Sequence, residues 1–481
     1  MSRVERGIVL KPAGQQLELL RSGQLSVAEL AEAHIAQIER LNPALNAFAD
    51  FDADRVRAEA LRMDAAGARR GTWQGESRGP LYGLPVTVKS SIATAGLRCE
   101  MGSLLHRGDR PREDAVVVER LRAAGALILG TTNCPEFLMA YETANLVHGE
   151  TRNPWDLERT PGGSSGGESA AIAAGMSAAG LGSDSGGSVR VPAHFTGICA
   201  LKPTPGRIPA RGHLPPCVGP FSILGAIGPM ARTMQDVELL FRTLSGQDAE
   251  DPASPPVPLR ETSFDELRAR PIGYFEDDGL VPVTAETRAA VSAAAEALLQ
   301  AGFRVEPFRP PTLEPLRQLW WKFFVQCGAM FYEPAIRGRR EELSPIFREF
   351  LGIAEAAPPL TATELLHAWA ELDLLREKTL AAMSEFPVLL CPVASVPAFG
   401  HREREWMVDG QPVKYLDAVR YTQWFNALAC PAAVVPVGAS QQGLPIGVQI
   451  AARPFEDEIA LGIAAVVDAV FGYRPPPSAI V

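Results

Sequence analysis

Gly162-Gly163-Ser164-Ser165-Gly166-Gly167-Glu168, continued by Gly182-Ser183-Asp184-Ser185-Gly186-Gly187-Ser188-Val189-Arg190, is the passage on which the reading turns. Two glycine-flanked serines, Ser164 and Ser188, lie 24 residues apart and are joined by an Ala/Gly-rich connection. Upstream, the apolar run Leu84-Pro85-Val86-Thr87-Val88 reads as a strand that presents Lys89 at its end. Glycine beside a serine lets backbone N–H groups converge with no side chain in the way. Converging amides are what a developing oxyanion needs. Taken alone, a Gly/Ser run reads as a loop or an anion-binding nest. A P-loop is excluded because no Gly-Lys-[Ser/Thr] follows.

Outward from this passage, helix and strand signals alternate. Ser26-Val27-Ala28-Glu29 is a capping box, followed by Leu30, Ile35, Ile38 and Leu41 at helical spacing. That helix is expected to end near Asn42-Pro43, because the residue before a proline disfavours the α region. Residues 64–80 are Gly/Arg-rich and read as a surface loop. Residues 113–124 read as a helix with Val117, Leu121 and Ala124 on one stripe, and 126–129 as the strand that follows. Further helices are expected at 237–244, 285–301 and 457–471, and strands at 272–275, 303–308, 388–391, 432–437 and 446–450. The mixture predicts an α/β fold with a buried sheet. Residues 251–258 (Asp-Pro-Ala-Ser-Pro-Pro-Val-Pro) form the one linker-like segment, and the strands on its two sides could belong to two domains or to one sheet.

Composition narrows the function classes. Of 481 residues, 46% are hydrophobic and 21% charged, the usage of an ordinary globular chain. The net charge of −10, with no basic cluster, argues against nucleic acid or an anionic membrane as partner. Seven cysteines (Cys99, Cys134, Cys199, Cys217, Cys327, Cys391, Cys430) contain no CxxC pair and suit reduced thiols in the cytoplasm. Cys199 reads as a small buried apolar residue. Residues 1–6 lead into no apolar h-region, so no secretory signal is expected, and the Ala-rich stretch 170–181 is too short and too Gly/Ser-broken to span a bilayer. His34 falls on the first predicted helix, and the other histidines are scattered without metal-ligand spacing, so no metal and no cofactor are assigned.

A nucleophilic serine needs a base. Gly162-Gly163-Ser164-Ser165-Gly166 fits G-x-S-x-G, but a nucleophile elbow requires a hydrophobic strand just before it. Here Asp156-Leu157-Glu158-Arg159-Thr160-Pro161 precedes, polar and ending in proline, and the elbow reading fails. Lysine is the alternative. Free lysine, with a pKa of about 10.4, is protonated at neutral pH. Burial can lower that value by up to roughly 3–5 units. Lys89 follows a buried-type strand, and its neighbours Ser90 and Ser91 carry no charge to hold an ammonium.

Lys89, the Gly162–Glu168 run, the 24-residue interval and the Gly186–Arg190 continuation together resemble the signature of the amidase signature family. The resemblance extends over the capped amino-terminal helix, residues 80–210 and residues 426–458; residues 311–387 do not carry it. It implies one domain over 1–481, built on a large mixed central β-sheet covered by α-helices on both sides. It implies Lys89 as base, Ser164 as proton relay behind a cis Gly163–Ser164 peptide, and Ser188 as nucleophile. The backbone of Ser185, Gly186, Gly187 and Ser188 would form the oxyanion hole, and Asp184 and Arg190 would hold that loop. The reaction implied is cleavage of the C–N bond of a small-molecule amide through a seryl acyl-enzyme. Leu138, Met139 and Tyr141, with Trp321 and Phe324 from the aromatic run 319–324, are the expected substrate contacts. They favour an apolar aryl or alkyl amide, or a related carbamate or urea, over glutamine. The main alternative is the glutamine-hydrolysing component of an amidotransferase that works with partner chains. Members of that group usually carry aspartate after the lysine, where this chain has Ser90, and their Arg-containing glutamine segment is not recognisable in 311–387. A non-catalytic scaffold on the same fold is the second alternative, disfavoured by the presence of all three triad residues. The family resemblance also allows a homodimer.

Overall fold

The computed structural model describes residues 7–69 and 79–477. Its apolar runs pair into one eleven-stranded mixed sheet. In chain order the strands are β1 (Phe48–Phe51), β2 (Pro85–Lys89), β3 (Leu127–Thr132), β4 (Ala179–Asp184), β5 (Cys199–Lys202) and β6 (Ala226–Ala231). They continue with β7 (Ile272–Tyr274), β8 (Val305–Pro307), β9 (Val388–Pro392), β10 (Ala432–Ala439) and β11 (Pro445–Ala451). Across the sheet the order is β1-β3-β2-β4-β6-β5-β10-β11-β9-β7-β8. Strands from before and after residues 251–258 therefore share one sheet, joined where Ala432 of β10 lies antiparallel to Lys202 of β5. β2 runs parallel to both β3 and β4, which brings the carboxyl ends of three strands, at Lys89, Thr132 and Asp184, to one edge.

Side chains alternate across a strand, and the two faces carry different cores. Val86 and Val88 of β2, Ile128 of β3 and Leu181 of β4 pack with helices Val116–Ala123, Met234–Leu244, Ala285–Gln300 and Asp457–Phe471. Burying each such side chain contributes about 1.5–3 kcal/mol. Thr87 and Lys89 take the opposite face, where Thr87 reaches Glu168 of helix Gly166–Ala173. On that face Leu127 and Leu129 pack against helix Val27–Leu45, and Ala200, Met230 and Val434 against helix Arg190–Thr196. Among the described residues, no helix is long and apolar enough to cross a membrane.

Several boundaries differ from those expected. The capping box at Ser26 and Glu29 is present, but the helix does not stop near Asn42-Pro43 and runs on to Leu45. A proline in the last turn forfeits little of the ladder, and Asn46, left-handed at φ 52°, closes the helix by donating its N–H to Asn42 O at 2.7 Å. The loop expected at 64–80 begins inside helix Ala53–Arg69, where Asp64 accepts the first amides of the neighbouring helix, from Val27 and Ala28, at 2.9 Å each. Residues 70–78 of that expected loop lie outside the described residues, as do residues 1–6. The helix expected from 113 starts at Val116, because Asp114 turns aside to accept the amide of Ala95 at 2.7 Å. Residues 311–387 form helices Leu313–Trp321, Cys327–Ile336, Pro345–Glu355 and Ala362–Ala382, with one π-helical turn at Lys322–Gln326. Their apolar faces build a core with Leu389 and Cys391 of β9.

Candidate active site

Lys89 ends β2 fully buried, with its Nζ 2.6 Å from Ser164 Oγ, 3.0 Å from Ser165 Oγ and 3.2 Å from Ser183 Oγ. Burial lowers its pKa to about 8. Three neutral hydroxyls solvate the amine without adding a charge that would hold its proton. The strand geometry explains the placement: Lys89 alternates with Val88, so an apolar face on one side leaves the amine on the side of the serines. The Gly163–Ser164 peptide is cis. Ser165 leads into helix Gly166–Ala173, and its N–H donates to Ser188 O at 3.1 Å, so the two serine segments are tied directly. Glu168, one turn into that helix, is buried beneath β2 and β3 and accepts from Thr87 and, at 2.7 Å, from Thr132. Burial raises its pKa to about 8.

The loop after β4 is held from both sides. Asp184 Oδ1 accepts the N–H of Gly187 at 2.8 Å, and Oδ2 that of Val189 at 3.1 Å. Arg190 donates to the same carboxylate from Nη2 at 2.9 Å and from Nε at 3.0 Å. Burial by itself would raise the Asp184 carboxyl; Arg190 outweighs it and holds the group well below the usual carboxylate range. Outside the loop, Trp320 Nε1 donates to Ser185 O at 2.8 Å, and Tyr141 Oη and Thr422 Oγ1 donate to Gly186 O at 2.8 and 2.6 Å. A trans peptide points its C=O and N–H in opposite directions. Trp320 therefore turns the Gly186 N–H away from itself. The Gly187 N–H is taken by Asp184, a correction to the expectation that four amides are available. The amides of Ser185, Gly186 and Ser188 have no acceptor among the described residues. Gly187, at φ +124° and against Thr422, has no room for a Cβ; one on Gly186 would lie 2.6 Å from Trp320.

Two cavities meet at Ser188. The larger is lined by Leu138, Met139, Tyr141, Ser188, Trp320, Phe324 and Phe350, with Glu349 and Arg404 also in its wall. The smaller is lined by Ser164, Ser183, Ser185, Ser188 and His213, with Pro215 and Cys217, beside Leu138, Met139, Phe221 and Phe324. Phe137 and Leu138 both carry positive φ, at 49° and 68°, which non-glycine residues seldom adopt. Of the expected substrate contacts, Leu138, Met139, Tyr141 and Phe324 line the larger cavity. Trp321 does not; its neighbour Trp320 does. The two indoles point about 100° apart around the helix. Trp320 is the one fixed by Ser185 O, and it stacks on Phe324 four residues on, with ring centroids 4.9 Å apart. Trp321 packs instead at the margin of the helical core.

Sequence reasoning misses Ser165, Ser183, Glu168, Trp320, Thr422 and Asn426. Glu168 does carry a signal, an acid inside a Gly/Ser/Ala run with nothing to solvate it. Thr422 and Asn426 sit on helix Arg420–Ala427, every residue of which is buried although half are polar. Asn426 Nδ2 donates to Asp184 Oδ1 at 3.0 Å and to Leu224 O at 2.8 Å.

An α/β sheet whose second strand ends in a buried lysine beside Ser164, with Ser188 on the glycine loop that follows β4, is the arrangement expected of one class of enzyme, the amidases. A family model described as Amidase matches residues 29–461, and the chain belongs to that family. It is 32% identical to the indoleacetamide hydrolase of Bradyrhizobium diazoefficiens over 93% of this chain and 84% of that one. It is 33% identical to the A component of the glutamyl-tRNA(Gln) amidotransferase of Roseiflexus castenholzii, covering 93% of each. Among solved structures, it superposes with a TM-score of 0.87 and 30% identity on a protein from a vestigial complex connected with the origins of an s-triazine catabolic enzyme, over 97% of this chain and all of that one.

Proposed function

We propose that this chain is a self-sufficient amidase that cleaves carboxylic amides with an apolar aryl or alkyl acyl group, acting as a single domain. The observation that carries the reading is the buried Lys89 Nζ, 2.6 Å from Ser164 Oγ, beside two cavities that both reach Ser188. In this reading neutral Lys89 accepts the proton of Ser164, Ser164 accepts that of Ser188, and Ser188 Oγ attacks the carbonyl carbon. The free amides of Ser185, Gly186 and Ser188 are the candidate donors to the resulting oxyanion. Ser164 then hands a proton to the leaving nitrogen as the C–N bond breaks, and water repeats the sequence on the acyl-enzyme to release the acid. Related carbamates and ureas could follow the same steps.

The amidotransferase reading has the near-equal identity to the Roseiflexus protein in its favour. Against it stands the lining of the larger cavity, predominantly apolar, whose one arginine, Arg404, is already engaged by Glu142 and Glu349 at 2.7 Å each. The test is hydrolysis by the purified chain alone on anilides, primary aliphatic and arylacetic amides, arylureas and glutamine, with Ser188→Ala as control. Turnover of apolar amides that vanishes in Ser188→Ala is expected. Turnover of glutamine alone, or activity that survives Ser188→Ala, would overturn the reading.

A further inference from the structure

His213 is the group the proposed mechanism leaves unused. Its Nδ1 lies 2.8 Å from Pro215 O, and a carbonyl oxygen only accepts, so Nδ1 carries the proton. The thiol of Cys217 also lies on that edge, 3.6 Å from Nδ1. Nε2, on the opposite edge, is then a lone-pair acceptor. It is buried and has no hydrogen-bond partner among the described residues, in a side chain only 6% exposed. The ring lines the smaller cavity together with Ser164, Ser183, Ser185 and Ser188. Burial pushes its pKa down to about 4, so the ring remains a neutral acceptor at pH 7. A buried acceptor left unmet costs free energy, and this one belongs to a ring in the wall of the cavity where substrate must pass.

The same cavity fixes the direction in which an amide lies. Ser164 lines the smaller cavity and not the larger, whereas Ser188 lines both. A serine that protonates the leaving nitrogen must stand beside it. The leaving nitrogen thus belongs in the smaller cavity with His213, and the acyl group in the larger apolar one. We propose that His213 Nε2 accepts a hydrogen bond from the N–H of the leaving nitrogen, which makes the enzyme selective for primary and secondary amides over tertiary amides and esters of the same acid. This rests on the Ser188–Ser164–Lys89 reading and deepens it. His213 holds the scissile nitrogen with its N–H toward the imidazole and its developing lone pair toward Ser164, ready to take the proton as the C–N bond breaks.

The experiment compares kcat/KM for phenylacetamide and for methyl phenylacetate, whose leaving oxygen has no N–H. The proteins are the wild type, His213→Phe, His213→Gln and Ser188→Ala. His213→Phe should lower the amide value about tenfold to a hundredfold while the ester value stays within about threefold, the loss of one hydrogen bond in a closed site. His213→Gln, which restores an acceptor oxygen near the position of Nε2, should recover most of the amide-to-ester ratio. If the phenyl ring upsets folding, His213→Leu, also without an acceptor there, carries the same expectation. Equal losses on both substrates, or no loss on either, would overturn the role of His213 while leaving the triad intact. Persistent hydrolysis in Ser188→Ala would instead overturn the triad beneath it.

Discussion

At the scale of single residues, the proposed mechanism depends on an amine whose pKa burial lowers toward neutrality. With its pKa lowered to about 8, Lys89 is roughly one-tenth neutral at pH 7, where free lysine is almost wholly charged. The base form gains population as protons are removed, so kcat/KM should climb through pH 8 and level off above it. A flat profile between about pH 6.5 and 9.5 would contradict this assignment. Lys89→Met should reduce kcat by at least about a thousandfold, without the loss of fold that a newly buried charge would bring. Lys89 and the glycine-flanked Ser164 and Ser188 stand out in the sequence because strand end, glycine run and spacing are local properties of the chain; their proposed roles come from the family resemblance. His213 and Trp320 do not. His213 shares a cavity wall with the distant Ser164, and Trp320 takes its place from the distant Ser185, and a lone histidine or one indole of a pair gives no sign of which way it faces.

Among the elements, the glycine loop between β4 and helix Arg190–Thr196 is shaped from outside, by helices that come much later in the chain. Trp320→Phe keeps an aromatic side chain but removes the pyrrole part of the indole and with it the Nε1 donor to Ser185 O, freeing the peptide that orients the Gly186 amide. It should lower kcat about tenfold with little change in KM or Tm. A change in KM alone would mean that the indole acts only as cavity wall. Gly186→Ala places a methyl 2.6 Å from that indole and 3.0 Å from Tyr141 Oη, so kcat should fall by more than about a hundredfold. The expected α/β mixture is present, and β2 and β3 are readable as near-continuous apolar runs, whereas β4, with two glycines in six residues, reads as part of an Ala/Gly-rich connection. Helix ends are less readable. Pro43 reads as a stop, yet a single favourable contact at Asn46 decides the matter, and the sequence alone does not weigh it against the proline.

Viewed whole, the molecule is a sheet of two sequence halves, and Arg190 fastens one to the other. Its guanidinium pairs with Asp184 of the first half and donates from Nη1 to Gln449 of β11 at 3.1 Å. Arg190→Met leaves the Asp184 carboxylate buried without its counter-charge. That should cost about 3–5 kcal/mol, seen as a fall in Tm of several degrees. A Tm within about one degree of wild type would refute the claim. Strands on both sides of residues 251–258 are visible in the sequence, but not that they share a sheet, since pairing of β5 with β10 joins residues far apart along the chain. The seam also sets a timetable. As the polypeptide leaves the ribosome, β1 to β6 can come together early, while β5 shows an unpaired edge until Ala432 has been made. The serine loop waits as well, for Asn426 and then Gln449. A nascent chain that stops short of Gln449 should therefore be prone to pair through the bare edge of β5 and lack the ties that hold the serine loop.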